Sequence, residues 1–158
     1  MPIQLEKASI EDANEIHALQ VESFLPLLEK YQDYETNPAN ERVEQILNRF
    51  QQPRTTYYFI TLDGARIGAV RAVCIEETKR ARISPMFIVP KHQGKGYAQE
   101  TISLLEVETD ARTWELDTIL QDERNCHLYE KMGYRRTGNS KVINDRMTIV
   151  SYEKNLGT

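Results

Sequence analysis

Cysteine is scarce in this chain: two residues in 158, Cys74 and Cys126, far apart and in no CxxC or Cys/His set. Neither a disulfide framework nor a zinc site has support, and both thiols are expected to pack as small buried hydrophobes. Long apolar runs are missing too; none approaches the ~18 residues of a membrane span. The opening MPIQLEKASIEDA is too polar for a secretory signal, so a cytoplasmic location is expected. Nor is there an excess of positive charge. With 24 acidic and 20 basic residues the formal net charge is −4, which gives no general attraction to nucleic acid or to a membrane surface. Internal repeats and low-complexity segments are absent. What remains is a chain with 40% hydrophobic residues and the length of one ordinary domain, so residues 1–158 read as a single unit with one core.

Periodicity then divides the chain. Residues 9 to about 31 begin with Ser9 as a candidate N-cap, followed by Asp12, and place Ile16, Leu19, Phe24, Leu27 and Leu28 near helical spacing. After the polar connection QDYETNPANE, the segment ERVEQILNRF predicts a second helix that stops before Pro53. TTYYFITLDGARIGAVRAVCIEE is rich in β-branched and aromatic residues and is broken by Asp63-Gly64, the signature of a hairpin. ARISPMFIV reads as a third strand in which Pro85 deletes a ladder hydrogen bond and demands a bulge or a break in pairing. Helical spacing returns over 97–109, with Ile102, Leu105 and Val107 apolar. A strand TWELDTIL follows, then a short helix ERNCHLYEKM stopped by Gly133, then two strands around YRRTG and RMTIVSYEK. The order is ααβββαβαββ with an optional first strand near Ile3 to Glu6, an α/β (α+β) domain with a mixed sheet.

Between the third strand and the helix at 97 lies FIVPKHQGKGYAQETISLLE. Gly94, Lys95 and Gly96 stand just ahead of a helix N-terminus, where unpaired N–H groups and the positive end of the helix dipole face one point. An anion suits that point. The missing Cβ atoms let a phosphate approach the main chain, while Lys91 and Lys95 add positive charge. A tight turn that merely needs positive φ would explain the same glycines. A Walker A loop does not: it requires glycine at Val89 and serine or threonine at Gly96. A dinucleotide fingerprint fails at Gln99 and lacks its βαβ context.

These residues resemble the acyl-CoA-binding segment of the GNAT superfamily of N-acetyltransferases, in which Gln/Arg-x-x-Gly-x-Gly/Ala holds the CoA pyrophosphate; Gln93, Gly96 and Ala98 occupy the three positions. LDTILQDERNCHLYEKMGY is similar to the second segment of that family, and the resemblance runs from about Tyr57 to Tyr152. It implies a mostly antiparallel central sheet flanked by helices, acetyl-CoA as acyl donor, no metal, and an amine-bearing acceptor. Backbone of Met86, Phe87 and Ile88 would pair with the pantetheine arm like an added strand. The loop from Gly94 through Lys95, Gly96, Tyr97 and Ala98 to Gln99 would cradle the pyrophosphate. Tyr129 stands at the position of the acid that protonates the leaving thiolate. Asp117 stands where some relatives carry a base acting through water, with Glu76 and Glu77 as competitors. Asp122 replaces an asparagine that often contacts pantetheine, and Asn125 follows one turn later.

Other readings compete for several of these residues. Tyr129 could be a core tyrosine, Cys126-His127 is expected to be packing rather than a dyad, and His92 a solvated turn residue. Lys79-Arg80-Ala81-Arg82 is expected to be an exposed turn with a smaller claim on the CoA 3′-phosphate. The expectation is an N-acetyltransferase acting on a small primary amine. A protein N-terminal or lysine acetyltransferase and a catalytically idle CoA-binding regulator are the alternatives. The resemblance also admits a homodimer through the terminal strands.

Overall fold

The computed structural model describes residues 3–157; Met1, Pro2 and Thr158, which the reading of the N-terminus and of the full 1–158 span includes, lie outside the described residues. The optional first strand is real: β1 (Ile3–Lys7) opens the chain, followed by α1 (Ala13–Tyr31), α2 (Val43–Gln51), β2 (Thr55–Leu62), β3 (Ala65–Ile75), β4 (Arg80–Ile88), α3 (Tyr97–Glu108), β5 (Thr113–Ile119), α4 (Glu123–Lys131), β6 (Arg135–Asn144) and β7 (Met147–Asn155). One sheet holds all seven strands in the order β1-β2-β3-β4-β5-β7-β6. Every neighbouring pair is antiparallel except β4 and β5.

Alternation along the strands gives the sheet two apolar faces, and each is covered by a helix pair. Ile16 and Ile46 of α1 and α2 pack with Tyr57, Phe59, Ala69 and Phe87. Ile102, Leu105 and Tyr129 of α3 and α4 pack on the opposite face with Ile60, Val70, Ile83, Trp114, Leu116 and Tyr152. Val107, expected among the apolar positions of α3, is 85% exposed; it falls on the solvent side of the helical wheel, roughly opposite the buried Ile102 and Leu105.

The turns follow residue chemistry. Asp63 and Gly64 both take positive φ (51° and 83°), as the tight β2–β3 hairpin requires. Ser9 starts a single 3₁₀ turn rather than α1 itself, and its backbone N–H donates to the Asp12 carboxylate at 2.9 Å. The connection after α1 is less solvated than its composition suggests. Asp33 is buried and accepts from the Thr36 backbone N–H (2.9 Å) and hydroxyl, and buried Asn37 accepts from Ala39 N–H at 2.7 Å. β6 runs well past YRRTG to Asn144, whose side-chain amide donates to the Tyr31 carbonyl at 3.0 Å and ties the terminal hairpin to the end of α1.

Candidate active site

Two strands that pair and then part make the site. β4 and β5 share only the rungs Arg80–Thr113, Ala81–Trp114 and Arg82–Glu115; beyond them Ile83–Ile88 and Leu116–Ile119 face each other across a gap. Pro85 accounts for part of this. In the β3–β4 register Val70 faces Met86 and Ala72 faces Ile83, so Ser84 and Pro85 together oppose Arg71, a bulge on β4. Arg71 spans it by donating to the Ser84 carbonyl at 2.9 Å.

Val89 N–H donates to Ile67 C=O at 2.9 Å, and the alternation of a ladder then turns the main-chain groups of Phe87 toward β3 and those of Met86 and Ile88 toward the gap. Phe87 therefore contributes its ring, buried against Phe24 at 5.7 Å between centroids, while Met86 and Ile88 present the free edge. Ile88 C=O already accepts from the Gln93 side chain at 2.8 Å, so Gln93 closes the loop onto the strand.

At the end of this edge the chain enters the glycine loop. Gly94 and Gly96 have φ of 75° and 85°, and Gly96 is the N-cap of α3. The first bond of the helix is Glu100 N–H to Gly96 C=O at 3.1 Å; the N–H groups of Gly94 through Gln99 have no acceptor among the described residues. A Cβ on Gly96 would meet no atom within 4 Å, so the loop is bare outward, toward solvent. Donors without acceptors at a helix N-terminus fit a diphosphate. Ala98 packs against the core and Tyr97 lies beside His92, ring centroids 6.4 Å apart. Gln99 lines a cavity of about 440 Å³ that also touches Ile3, Gly96 and Ser103.

A further cation belongs here that the periodicity reading missed. Arg124 Nη1 lies 3.6 Å from where a Gly94 Cβ would stand, and this guanidinium makes no ion pair or hydrogen bond among the described residues. Arg124 is the second residue of α4, where the helix dipole disfavours positive charge. That misplaced cation was the available signal. Asp122 caps the same helix, its Oδ1 accepting from Asn125 N–H at 3.1 Å, which leaves one carboxylate oxygen and the Asn125 side chain uncommitted.

Tyr129 lies on α4, buried, with Tyr134 and Tyr152 at 6.3 and 6.1 Å between ring centroids. Its neighbours donate to carboxylates: Tyr134 to Glu106 at 2.8 Å and Tyr152 to Glu130 at 2.7 Å. The Tyr129 hydroxyl has no such partner among the described residues. Burial, with Asp122 and Cys126 adding smaller effects, pushes its pKa up to about 12, so it stays protonated at neutral pH.

Asp117 lies on the other face of the sheet, with Glu115. Its Oδ2 receives Arg82 at 2.6 Å and its Oδ1 receives Ser151 at 2.7 Å. It lines a cavity of about 300 Å³ with Thr36, Lys141, Ile143, Ile149 and Ser151. Asp117 and Tyr129 thus approach the β5 wall from opposite faces.

Several expectations are corrected. Glu76 and Glu77 lie in the β3–β4 turn, at the closed end of the parting strands and away from the glycine loop. Arg80 and Arg82 are strand residues, not a turn, and they pair with Glu115, Glu153 and Asp117; their place at the start of β4 removes them from the phosphate loop at its end. Lys79 alone is in the turn, bridged to Asp110. Both cysteines are half-buried, not buried, with Cys126 Sγ 3.6 Å from the Ile119 carbonyl, and His127 is exposed. His92 is not fully solvated, since its Nδ1 is buried without a partner.

Comparison with known proteins agrees with this geometry. The model of the acetyltransferase (GNAT) family matches residues 14–134. No curated protein matches the sequence at a significant level. Solved structures do. An acetyltransferase from Thermus thermophilus is similar with a TM-score of 0.76 at 17% identity, over 99% of this chain and 98% of that one. The spermidine N-acetyltransferase from Vibrio cholerae in complex with CoA and spermine gives 0.74 at 20% identity, over 98% and 95%. The microcin C7 self-immunity acetyltransferase MccE in complex with acetyl-CoA and AMP gives 0.68 at 16%, over 98% and 92%. At such identities the likeness is one of fold.

Proposed function

The chain belongs to the acetyltransferase (GNAT) family and is an acyl-CoA-dependent N-acetyltransferase, and on that premise we propose that it moves an acetyl group from acetyl-CoA to the primary amine of a small molecule by direct attack. One observation carries the reading: the gap between β4 and β5 runs from a glycine loop full of uncommitted donors, and its β5 wall supports the one tyrosine of a buried triplet whose hydroxyl is uncommitted. Neighbours of this fold crystallised with CoA and spermine, or with acetyl-CoA and AMP, support the same donor and a small acceptor.

In this reading the N–H groups of Gly94 to Gln99 receive the diphosphate, with Lys91, Lys95 and Arg124 around it, and Met86 and Ile88 offer main-chain partners to the arm. Asp122 and Asn125 supply polar atoms at the start of α4. The amine forms the new N–C bond as the C–S bond breaks, and the departing thiolate takes its proton from Tyr129. Asp117 takes the proton that the amine loses; Arg82 and Ser151 occupy one site on each oxygen, and a carboxylate offers about four. A small acceptor suits the cavity beside Asp117, about 300 Å³. Titration calorimetry with CoA, followed by thiol release from acetyl-CoA across a panel of amines, tests the proposal. Absence of CoA binding at millimolar ligand would refute it.

A further inference from the structure

The cavity beside Asp117 has a charge arrangement that the transfer reaction alone does not require. The register sets Lys141 opposite Ile149 and Asp117 opposite Ser151. Ile149 and Ser151 alternate onto one face of β7, so all four side chains share that face. β7 lies between β5 and β6, which separates the Asp117 and Lys141 backbones laterally by two strand spacings, ~10 Å. The cavity they line is about 300 Å³, roughly ten water volumes.

Asp117 is already compensated by Arg82 at 2.6 Å. Glu115 shares Arg80 and Arg82 with Glu153 and Asp117, and buried Asp33 is hydrogen-bonded by Thr36. Glu35 and Asp145 occupy flanking turns and do not line the cavity. Lys141 is the one cation lining the cavity and has no carboxylate partner among the described residues. A cationic group brought to the Lys141 end of the cavity would be repelled by it, whereas an anionic group would pair with it. Ile143 and Ile149 add an apolar patch to the same wall.

We infer that the acceptor is a small amine that also bears a carboxylate, of amino-acid size, its nitrogen held by Asp117 and its carboxylate by Lys141. The inference rests on the acetyltransferase reading above. The aliphatic part of such a molecule lies over Ile143 and Ile149. Closest in shape is an amino acid with an apolar side chain.

The test compares kcat/KM for L-leucine, L-leucinamide and 1,4-diaminobutane with acetyl-CoA at one pH, corrected for the fraction of neutral amine. Leucine is expected to exceed leucinamide by about tenfold or more, the usual scale of a charge-assisted contact, with the diamine poorest. Lys141→Gln should bring the leucine-to-leucinamide ratio near one, and Lys141→Glu should invert it. Lys141 is exposed on an edge strand, so both variants are expected to fold. Equal use of acid and amide by the wild type, a ratio untouched by Lys141→Gln, or preference for the diamine would each overturn the inference while leaving the acetyltransferase reading intact. If CoA binds and none of the three turns over, calorimetric titration of leucine and leucinamide into the CoA-bound protein reads the same preference. Failure to bind CoA at all refutes the parent reading instead.

Discussion

Arg82 on β4 and Asp117 on β5 meet at 2.6 Å just past the last paired rung of the two strands, Arg82–Glu115. The ion pair therefore sits at the fork where the sheet opens. Its side chains are about one-third exposed, so it contributes little to stability by itself. Its consequence is positional, because it holds one carboxylate at the mouth of the gap on the face covered by α1 and α2.

Asp117→Asn is expected to keep the shape of that pair and remove its capacity to take a proton. The acetyl-transfer rate should fall by ~10²-fold. Normal turnover in Asp117→Asn, with a lowered melting temperature as the only change, would leave the residue a strand clamp.

Tyr129→Phe removes only a hydroxyl. If that hydroxyl delivers the proton to the leaving thiolate, kcat should drop by ~10²–10⁴-fold while CoA affinity, read by calorimetry, changes little. A parallel loss of affinity would instead mean that the hydroxyl holds the donor in place.

The tyrosines also predict an alkaline weakness. Burial raises the pKa of Tyr57, Tyr129, Tyr134 and Tyr152 in the folded state, to about 12 for Tyr129, against ~10 when unfolded. Above pH ~10 the unfolded chain thus binds fewer protons than the folded one, and stability falls as pH rises. Stability from these groups is complete below pH ~10. Thermal melts should show a steep loss between pH 10 and 12, and Tyr129→Phe should remove on the order of 2–3 kcal/mol of it. A flat profile to pH 12 would contradict the burial argument.

How much of this was legible in the sequence depended on whether the signal was local. Every helix and strand had one: period, breaker or cap. The glycine loop was readable because φ and helix position are local properties. The fork was half readable, since Pro85 announced a break in pairing while the partner that departs, β5, is distant in sequence. The fates of Arg80 and Arg82 were not readable at all, because a Lys-Arg-Ala-Arg run looks like a solvated turn until β5 and β7 bring Glu115, Asp117 and Glu153 beside it. Arg124 fell between the two cases. Its place in the first turn of α4 was visible; its position over Gly94 needed the fold.

Arg124→Ala should weaken CoA binding about tenfold and flatten its dependence on salt, since one screened phosphate contact is lost. With acetylated pantetheine as donor, which lacks the diphosphate, kcat/KM should be unchanged. An equal loss with both donors would mean that Arg124 only supports α4.

Two glycines that look alike in sequence should behave in opposite ways. A Cβ on Gly68 would stand 2.1 Å from the Phe87 carbonyl oxygen, a backbone atom that cannot step aside without moving β4. Gly68→Ala is therefore expected to cost ~2–4 kcal/mol of stability, in the range of severe packing errors, and to loosen the strand edge at Met86 and Ile88. Gly96 has open space around it and only the positive φ of 85° to protect. Gly96→Val should cost ~1–2 kcal/mol of backbone strain, yet lose most of the CoA affinity, because the added methyls would fill the space a phosphate must enter. Denaturant melts and CoA titrations on the two variants separate the cases. If Gly96→Val stays folded and binds CoA as the wild type does, the loop is a turn and not a phosphate site.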